Sequence, residues 1–159
     1  MFKLIMTLFL VTFFLAAHGQ TKAPGDVPVA HLQKRVESAS DTIFVVNFWA
    51  TWCQPCVKEI PEFNKIPLTY KNHPVKVIMA NLDFPNQKES RVVPFLKNNI
   101  VTHEVVMTIT PRGGEWIDEI DSSWSGAIPA TVIWHKGKKY FHEGETNYEQ
   151  MKEWIDRLL

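Results

Sequence analysis

A continuous apolar run that leads directly into a close cysteine pair is the feature that most limits how this chain can fold. Residues 43–49 read Ile-Phe-Val-Val-Asn-Phe-Trp, a β-branched and aromatic run with one polar break. Such a run is typical of a strand that is covered on both faces, as in a parallel sheet. Cys53 and Cys56 follow it, and from Cys53 onward the apolar residues take helical spacing. The sequence therefore predicts a buried strand, a short cysteine-bearing loop and a helix.

The position of the two cysteines at the start of a helix favours redox chemistry. Two cysteines three residues apart at such a point lie within reach of a disulfide bond. Cys53 lies where free backbone N–H groups and the positive end of the helix dipole favour thiolate over thiol, so it is the predicted nucleophile. Cys56, one turn further in, is predicted to resolve the mixed disulfide. Between them stand Gln54 and Pro55, and a proline sets the backbone well at an early helical position.

Three other interpretations of a close cysteine pair fit this sequence less well. A structural disulfide that closes so short a loop would constrain little chain entropy. A zinc site needs two more ligands, but the chain has 2 cysteines and its histidines form no His-x3–5-His pair. A peroxidatic cysteine normally stands alone with a threonine three residues before it, whereas Thr51 is two residues before Cys53. A redox role for the pair is therefore favoured, and a thiol-disulfide exchange protein is expected to need no metal and no organic cofactor, because the electrons reside in Cys53 and Cys56.

The first residues of the chain predict export. Lys3 is followed by a mostly apolar run over residues 4–17, shorter than the roughly 20 residues that a spanning helix needs. Residues 1–19 are therefore predicted to be a secretory signal peptide, with an uncleaved membrane anchor as the alternative. We expect an exported protein of the bacterial periplasm, where thiols can exchange disulfides. The 17 basic and 17 acidic side chains give no bulk attraction to nucleic acid or to anionic membranes.

The remainder of the chain predicts one α/β domain. Residues 20–28 are polar with proline and glycine and are predicted to be a linker, and residues 29–159 form the domain. Helices are expected at 29–39, from 53, at 88–99 and from 146, where Thr146 and Glu149 have capping-box spacing. Strands are expected at 43–49, 75–82, 104–109, 130–134 and 140–143, and 110–126 is loop-rich. This alternation predicts a mixed central sheet with helices on both faces.

Two segments of the chain resemble a known superfamily. Residues 48–56, Phe-Trp-Ala-Thr-Trp-Cys-Gln-Pro-Cys, resemble the active-site signature of the thioredoxin superfamily. With Asn47 before and Glu59-Ile60-Pro61 after, the wider string is similar to the exported TlpA/ResA-like branch. Residues 126–131, Gly-Ala-Ile-Pro-Ala-Thr, resemble the superfamily's cis-proline loop. The resemblance implies a thioredoxin-like fold with an α/β insertion before that loop, between residues 81 and 124.

The resemblance also implies roles for residues around the cysteines. The Ile128–Pro129 bond would be cis and would face the cysteine pair, where the backbone of Ile128 pairs with an extended substrate peptide. Trp52 would flank the substrate groove. These three residues, Trp52, Ile128 and Pro129, are the predicted substrate-binding residues.

Two positions depart from the pattern of the superfamily. Plain thioredoxin carries a buried acid, which accepts the proton of the second cysteine, where this chain has Asn47. Because asparagine does not titrate, another group must take the proton from Cys56. Glu59, one helical turn beyond Cys56, is a candidate proton relay, with a solvated surface acid as the alternative. ResA-like members often have glutamate where Gln54 stands, so an acidic effect on Cys53 is missing.

The resemblance implies a thiol-disulfide oxidoreductase that reduces disulfides of other exported proteins. Its expected partners are those proteins and a membrane-embedded thiol donor, and by analogy the substrate is the haem-binding Cys-x-x-Cys-His of cytochrome c maturation. A disulfide oxidase or isomerase is the alternative within this class. Outside it, the alternative is a non-catalytic module that binds peptides near Ile128 and Pro129.

Overall fold

The cysteine-bearing loop follows a central strand of one mixed, six-stranded sheet. The computed structural model describes residues 23–38 and 41–159, so the predicted signal peptide lies outside the described residues. The strands are β1 Gly25–Pro28, β2 Ile43–Trp49, β3 Val75–Asn81, β4 Glu104–Ile109, β5 Ala130–His135 and β6 Lys138–Glu143. Their spatial order is β1-β4-β3-β2-β5-β6. The first four are mutually parallel, and β5 and β6 run antiparallel to their neighbours.

Strand β2 lies in the middle of the sheet and is buried along its whole length. Its alternate side chains enter two different apolar clusters, with Val45 and Trp49 in one and Phe44 and Phe48 in the other. Neighbouring side chains of a strand point to opposite faces, so a strand with a core on each face needs an unbroken apolar run. The prediction from residues 43–49 is therefore confirmed.

Helices cover both faces of the sheet, as predicted. They are α1 Val29–Glu37, α2 Gln54–Phe63, α3 Ile66–Thr69, α4 Val93–Asn98, α5 Glu115–Ile120 and α6 Tyr148–Asp156. The buried faces of α2, α4 and α6 enter the same apolar cluster as Val45, and those of α1 and α5 enter the cluster of Phe44. Within residues 23–38 and 41–159, no helix combines the length and apolar character that a membrane span requires.

Two segments that were expected to be irregular have regular secondary structure. Gly25–Pro28, within the predicted linker, forms the edge strand β1 and pairs in parallel with Val106–Ile109 of β4. Only Val27 of this strand packs against the core, so the segment carries no apolar alternation that a sequence could reveal. Helix α5 lies in the predicted loop-rich region, and its buried residues Trp116 and Ile120 have the i, i+4 spacing of one helix face.

The segment between β3 and the cis-proline loop holds the predicted α/β insertion. It contains a 3-10 turn over Pro85–Gln87, a π-helical turn over Lys88–Val92, then α4, β4 and α5. The single helix expected at 88–99 is thus divided into a π turn and α4. Pro94 lies at the first turn of α4, where its missing N–H breaks no helical hydrogen bond.

The last helix begins one residue later than its capping-box spacing predicted. The N-cap is Asn147, whose side chain accepts a hydrogen bond from the backbone of Gln150, while the side chain of Gln150 accepts one from the backbone of Asn147. Thr146 is therefore not the cap. It is buried, and its backbone N–H points to the site described next.

Candidate active site

The cysteine pair lies where β2 gives way to α2. Cys53 is the N-cap of α2, and its sulfur accepts a hydrogen bond from the backbone N–H of Cys56 at 3.3 Å. The two cysteines form a disulfide with an S–S distance of 1.99 Å. Gln54 and Pro55 occupy the first helical turn, where a proline costs no hydrogen bond. The predicted strand, loop and helix arrangement is present.

Access to the two sulfurs differs. Cys53 is 5% exposed and Cys56 is 0% exposed, so a partner molecule meets Cys53 first. Beside Cys53, Trp52 is 58% exposed, and Gln54 and Pro55 are exposed as well. This unequal access fits the predicted division of labour, in which Cys53 reacts with the substrate and Cys56 attacks from within.

The cis-proline loop stands directly against Cys53. The Ile128–Pro129 peptide bond is cis, as the resemblance implied. The carbonyl oxygen of Ile128 lies 3.6 Å from Cys53 Sγ. The indole N–H of Trp124 donates to the carbonyl of Ala127 at 2.7 Å and holds the loop from the core side. Sequence positions 75 residues apart are thereby brought into contact at the sulfur that the substrate meets first.

A buried carboxylate that the sequence did not single out fixes the loop before Cys53. The two oxygens of Asp83 accept hydrogen bonds from the backbone N–H and the hydroxyl of Thr51, both at 2.7 Å. Asn81 Nδ2 donates to the same carboxylate at 2.8 Å. The carboxyl ends of β2 and β3 are adjacent in the sheet, so an acid just after β3 can reach the loop after β2. A polar Asn-x-Asp at the end of an apolar strand is the signal that could have revealed it.

A second buried carboxylate lies behind the disulfide. Glu59 is 1% exposed and belongs to the buried face of α2 together with Cys56. Its Oε1 accepts from Asn47 Nδ2 at 2.8 Å, and its Oε2 accepts from the backbone N–H of Thr146 at 2.8 Å. The alternative of a solvated surface acid is therefore wrong. Residues three apart on a helix are neighbours, with Cβ atoms roughly 5–6 Å apart, so Glu59 lies beside Cys56.

Burial changes the acidity of Glu59. Loss of solvent raises the pKa of its carboxyl from an ordinary value of 4.5 to about 7, while the hydrogen bonds from Thr146 and Asn47 oppose that rise. The nearby charge of Glu145, which pairs with Lys58 at the surface, adds to the rise. A buried carboxyl with such a pKa can both accept and release a proton at neutral pH.

Comparison with known proteins agrees with this geometry. The family model described as Thioredoxin matches residues 26–94. Sporulation thiol-disulfide oxidoreductase A of Bacillus subtilis is 30% identical over 161 residues, which cover 96% of this chain and 93% of that protein. The chain belongs to the thioredoxin family. It is a thiol-disulfide oxidoreductase of the kind represented by this relative, with Cys53 and Cys56 as its cysteine pair.

Other members of the thioredoxin family match over shorter lengths. Thiol-disulfide oxidoreductase ResA of Bacillus cereus (strain ATCC 10987 / NRS 248) is 30% identical over 115 residues, or 71% of this chain and 61% of that protein. The match thus spans less than two thirds of the ResA relative. The crystal structure of StoA from Bacillus subtilis has a TM-score of 0.58 at 28% identity, covering 74% of this chain and 85% of that one.

A thioredoxin-related protein from Neisseria meningitidis serogroup B has a similar backbone. Its crystal structure superposes with a TM-score of 0.64 at 25% identity, over 76% of this chain and 87% of that one. The thioredoxin-like fold predicted from the signature and the cis-proline loop is confirmed.

The remaining tryptophans near the signature belong to the core. Trp49 is fully buried and packs against Phe95 with the two rings tilted and their centroids 5.3 Å apart. Trp116 and Trp124 are buried against Phe48 on the other face of the sheet. Trp52 is thus the tryptophan of the signature that a partner can contact.

Proposed function

We propose that this oxidoreductase reduces disulfide bonds of other exported proteins, with Cys53 as nucleophile and Cys56 as resolving thiol. The observation that carries the proposal is the pairing of one accessible and one buried cysteine at a helix start, with a buried titratable carboxyl on the inner side. This arrangement supports attack by the outer sulfur and proton removal from the inner one.

The reaction takes two exchanges. The thiolate of Cys53 attacks one sulfur of the substrate disulfide, forming a mixed disulfide and releasing the other substrate sulfur as a thiolate. The thiolate of Cys56 then attacks Cys53 Sγ, which releases the second substrate thiolate and leaves the Cys53–Cys56 disulfide. Two electrons pass from the protein's dithiol to the substrate, and the substrate thiolates take up protons.

The second exchange requires that the Cys56 thiol lose its proton in a buried environment. Glu59 is the titratable group beside it, and its raised pKa suits proton transfer near neutrality. Asn47 Nδ2 donates to the ionised Glu59, whereas Asn47 Oδ1 has no hydrogen-bond partner among the described residues. A half-turn of the amide would let Oδ1 accept a hydrogen bond from protonated Glu59. The Asn47 amide therefore suits both protonation states of the relay.

The substrate would bind as an added strand beside the cis-proline loop. The backbone of Ile128 lies next to Cys53 Sγ, and Pro129 fixes the loop at the start of β5. A substrate segment in extended conformation could pair with this backbone while the indole of Trp52 covers it. Such pairing selects substrates by backbone shape, which agrees with the zero formal net charge of the chain.

The compartment and the partners follow from the same proposal. Export to a bacterial periplasm, directed by residues 1–19, would place the cysteines where protein disulfides persist. A membrane-embedded thiol donor would reduce the Cys53–Cys56 disulfide after each turnover. By its likeness to the TlpA/ResA-like branch, the haem-binding Cys-x-x-Cys-His of cytochrome c maturation is the first substrate to test.

Trapping of mixed disulfides tests the proposal and names the substrates. In Cys56→Ser the second exchange cannot occur, so exported partners should accumulate on Cys53 and be identified by mass spectrometry. The double variant Cys53→Ala/Cys56→Ser is the matched control and should trap none. Recovery of no partner by Cys56→Ser would support a peptide-binding module without turnover.

The reduction potential tests the direction of the reaction. A value near that of thioredoxin, roughly −270 mV, is expected for a reductase, and a value near roughly −120 mV would identify an oxidant instead. Cys53→Ala should abolish reduction of insulin disulfides. Unchanged insulin reduction by that variant would contradict the enzymatic role of Cys53.

A further inference from the structure

A cleft lies on the side of the cysteine loop that is opposite to the cis-proline loop. It has a volume of about 670 Å³ and opens between the segments that follow β3 and β4. Its walls include Asp83, Phe84, Pro85, Thr108, Pro111 and Arg112. Crevices outside the carboxyl ends of parallel strands are common binding sites in open α/β sheets. The volume falls in the range of typical ligand pockets, roughly 300–1,000 Å³.

Hydrogen bonds join this cleft to the active-site loop. Asp83, in the wall, accepts two hydrogen bonds from Thr51 at 2.7 Å. Trp52 and Phe84 directly follow these two residues and are 58% and 69% exposed. The hydrogen bonds between Thr51 and Asp83 therefore tie together the loops that carry these two exposed side chains, so an extended molecule bound at Cys53 could reach the cleft.

The chemistry of the cleft suits a peptide segment with an apolar side chain. Phe84, Pro85 and Pro111 offer apolar walls. Thr108 is buried at the cleft, and its hydroxyl has no hydrogen-bond partner among the described residues. Arg112 is exposed and forms no ion pair within the described part of the chain. Such polar groups can bind backbone carbonyls while the walls hold a side chain.

The sheet geometry sets which residue of a substrate would reach the cleft. Cys53 follows β2, and the cleft lies between the ends of β3 and β4, which is about one and a half strand spacings away, or roughly 7 Å. An extended chain covers this distance in about two residues, at roughly 3.4 Å each. Alternation then directs that side chain to the same face as the reactive cysteine, toward the protein.

We propose that this cleft is a specificity subsite that binds a large apolar side chain two residues from the reactive cysteine of the substrate polypeptide. The inference rests on the proposed function, because it assigns a second contact to the same bound substrate. Backbone pairing at Ile128 would fix the register, and the cleft would select among sequences in that register.

Reduction of matched peptides tests the subsite. Each peptide would have one disulfide and a single phenylalanine, placed one or two residues from the reactive cysteine. The four peptides cover both distances on the N-terminal and the C-terminal side, and serine occupies the positions that phenylalanine does not. The second-order rate constant for reduction by the reduced protein should be at least about tenfold higher for phenylalanine at the second position on one of the two sides. Bis(2-hydroxyethyl) disulfide, which is too small to reach the cleft, gives the reference rate.

Variants of the wall separate the subsite from the chemistry. Phe84→Ala should remove the preference and leave the rate with the small disulfide unchanged. Leu68→Ala, which truncates another highly exposed apolar residue, on α3, is the matched control and should retain the preference. Thr108→Val should lower the second-order rate constant for the preferred peptide about threefold or more, with no change for the small disulfide.

The outcomes distinguish the two proposals. Equal rates for all peptides, or a preference that survives Phe84→Ala, would overturn the subsite while leaving the reductase intact. Failure to reduce both the peptides and the small disulfide would overturn the proposed function and the subsite with it.

Discussion

Two buried acids lie on either side of the active-site loop, and their surroundings assign them different work. Asp83 accepts three hydrogen bonds, two from Thr51 that join the ends of β2 and β3 and one from Asn81 at the end of β3 itself. Glu59 accepts two, from Asn47 and Thr146, and burial raises its pKa to about 7. The carboxylate of Asp83 fixes the active-site loop through its hydrogen bonds, and the carboxyl of Glu59 is suited to exchange a proton. Burial alone thus does not define a relay.

Removal of the Asp83 carboxylate should have the largest effect on stability. Asp83→Ala leaves the N–H and hydroxyl of Thr51 and the amide of Asn81 without their acceptor, and each lost partner costs about 1–3 kcal/mol. We expect the free energy of unfolding to fall by about 3 kcal/mol or more, measured by urea denaturation. Asp83→Asn, which keeps one acceptor oxygen, should lose less. An unchanged urea midpoint for Asp83→Ala would show that the hydrogen bonds from Thr51 to Asp83 do not stabilise the fold.

Glu59 should make stability depend on pH in the opposite sense to an ordinary paired carboxylate. Its folded-state pKa is raised from 4.5 to about 7, so its favourable contribution is complete below 4.5 and is lost as the pH rises through 7. The loss amounts to about 3 kcal/mol, at 1.36 kcal/mol for each pH unit. Glu59→Gln should remove this dependence, so that the variant gains stability relative to the wild type at pH 8 but not at pH 4. The same difference in unfolding free energy between Glu59→Gln and the wild type at pH 4 and at pH 8 would contradict the raised pKa of Glu59.

Asn47 should have the smallest effect on stability and a distinct effect on acidity. Asn47→Ala removes one of the two hydrogen bonds that favour ionised Glu59, so the pKa of Glu59 should rise above its wild-type value. The loss of the buried hydrogen bonds should cost about 1–2 kcal/mol. The pH profile of the reduction rate should shift upward. Val46→Ala, on the opposite face of β2, should destabilise the protein without shifting that profile.

The sequence predicted the parts of the fold and site that depend on local pattern. The unbroken run of β2, the cysteines at the start of α2 and the loop at Pro129 each carry a signal within a few residues. The Asp83–Thr51 hydrogen bonds span 32 residues and join two loops, so no local pattern contains them. Strand β1 was missed because an edge strand with a single partly buried side chain has no alternation to detect.

The burial of Glu59 likewise could not be predicted from local sequence, although its position could. Its position one turn beyond Cys56 is local and predictable, whereas its burial depends on Asn47 and Thr146, which lie 12 and 87 residues away. Sequence spacing therefore gave the candidate, and tertiary packing supplies the desolvation that raises its pKa.

The pH dependence of resolution of the mixed disulfide tests the central claim most directly. The reduced protein would be mixed rapidly with the symmetrical disulfide of a small thiol, so that the first exchange forms the mixed disulfide at Cys53 and releases one thiol. The rate at which Cys56 releases the second thiol would then be followed from pH 5 to 9. If Glu59 takes the proton of Cys56, the wild-type rate should show a transition near neutral pH, and Glu59→Gln should lose that transition and be slower. The same profile and rate in the wild type and in Glu59→Gln would contradict the account.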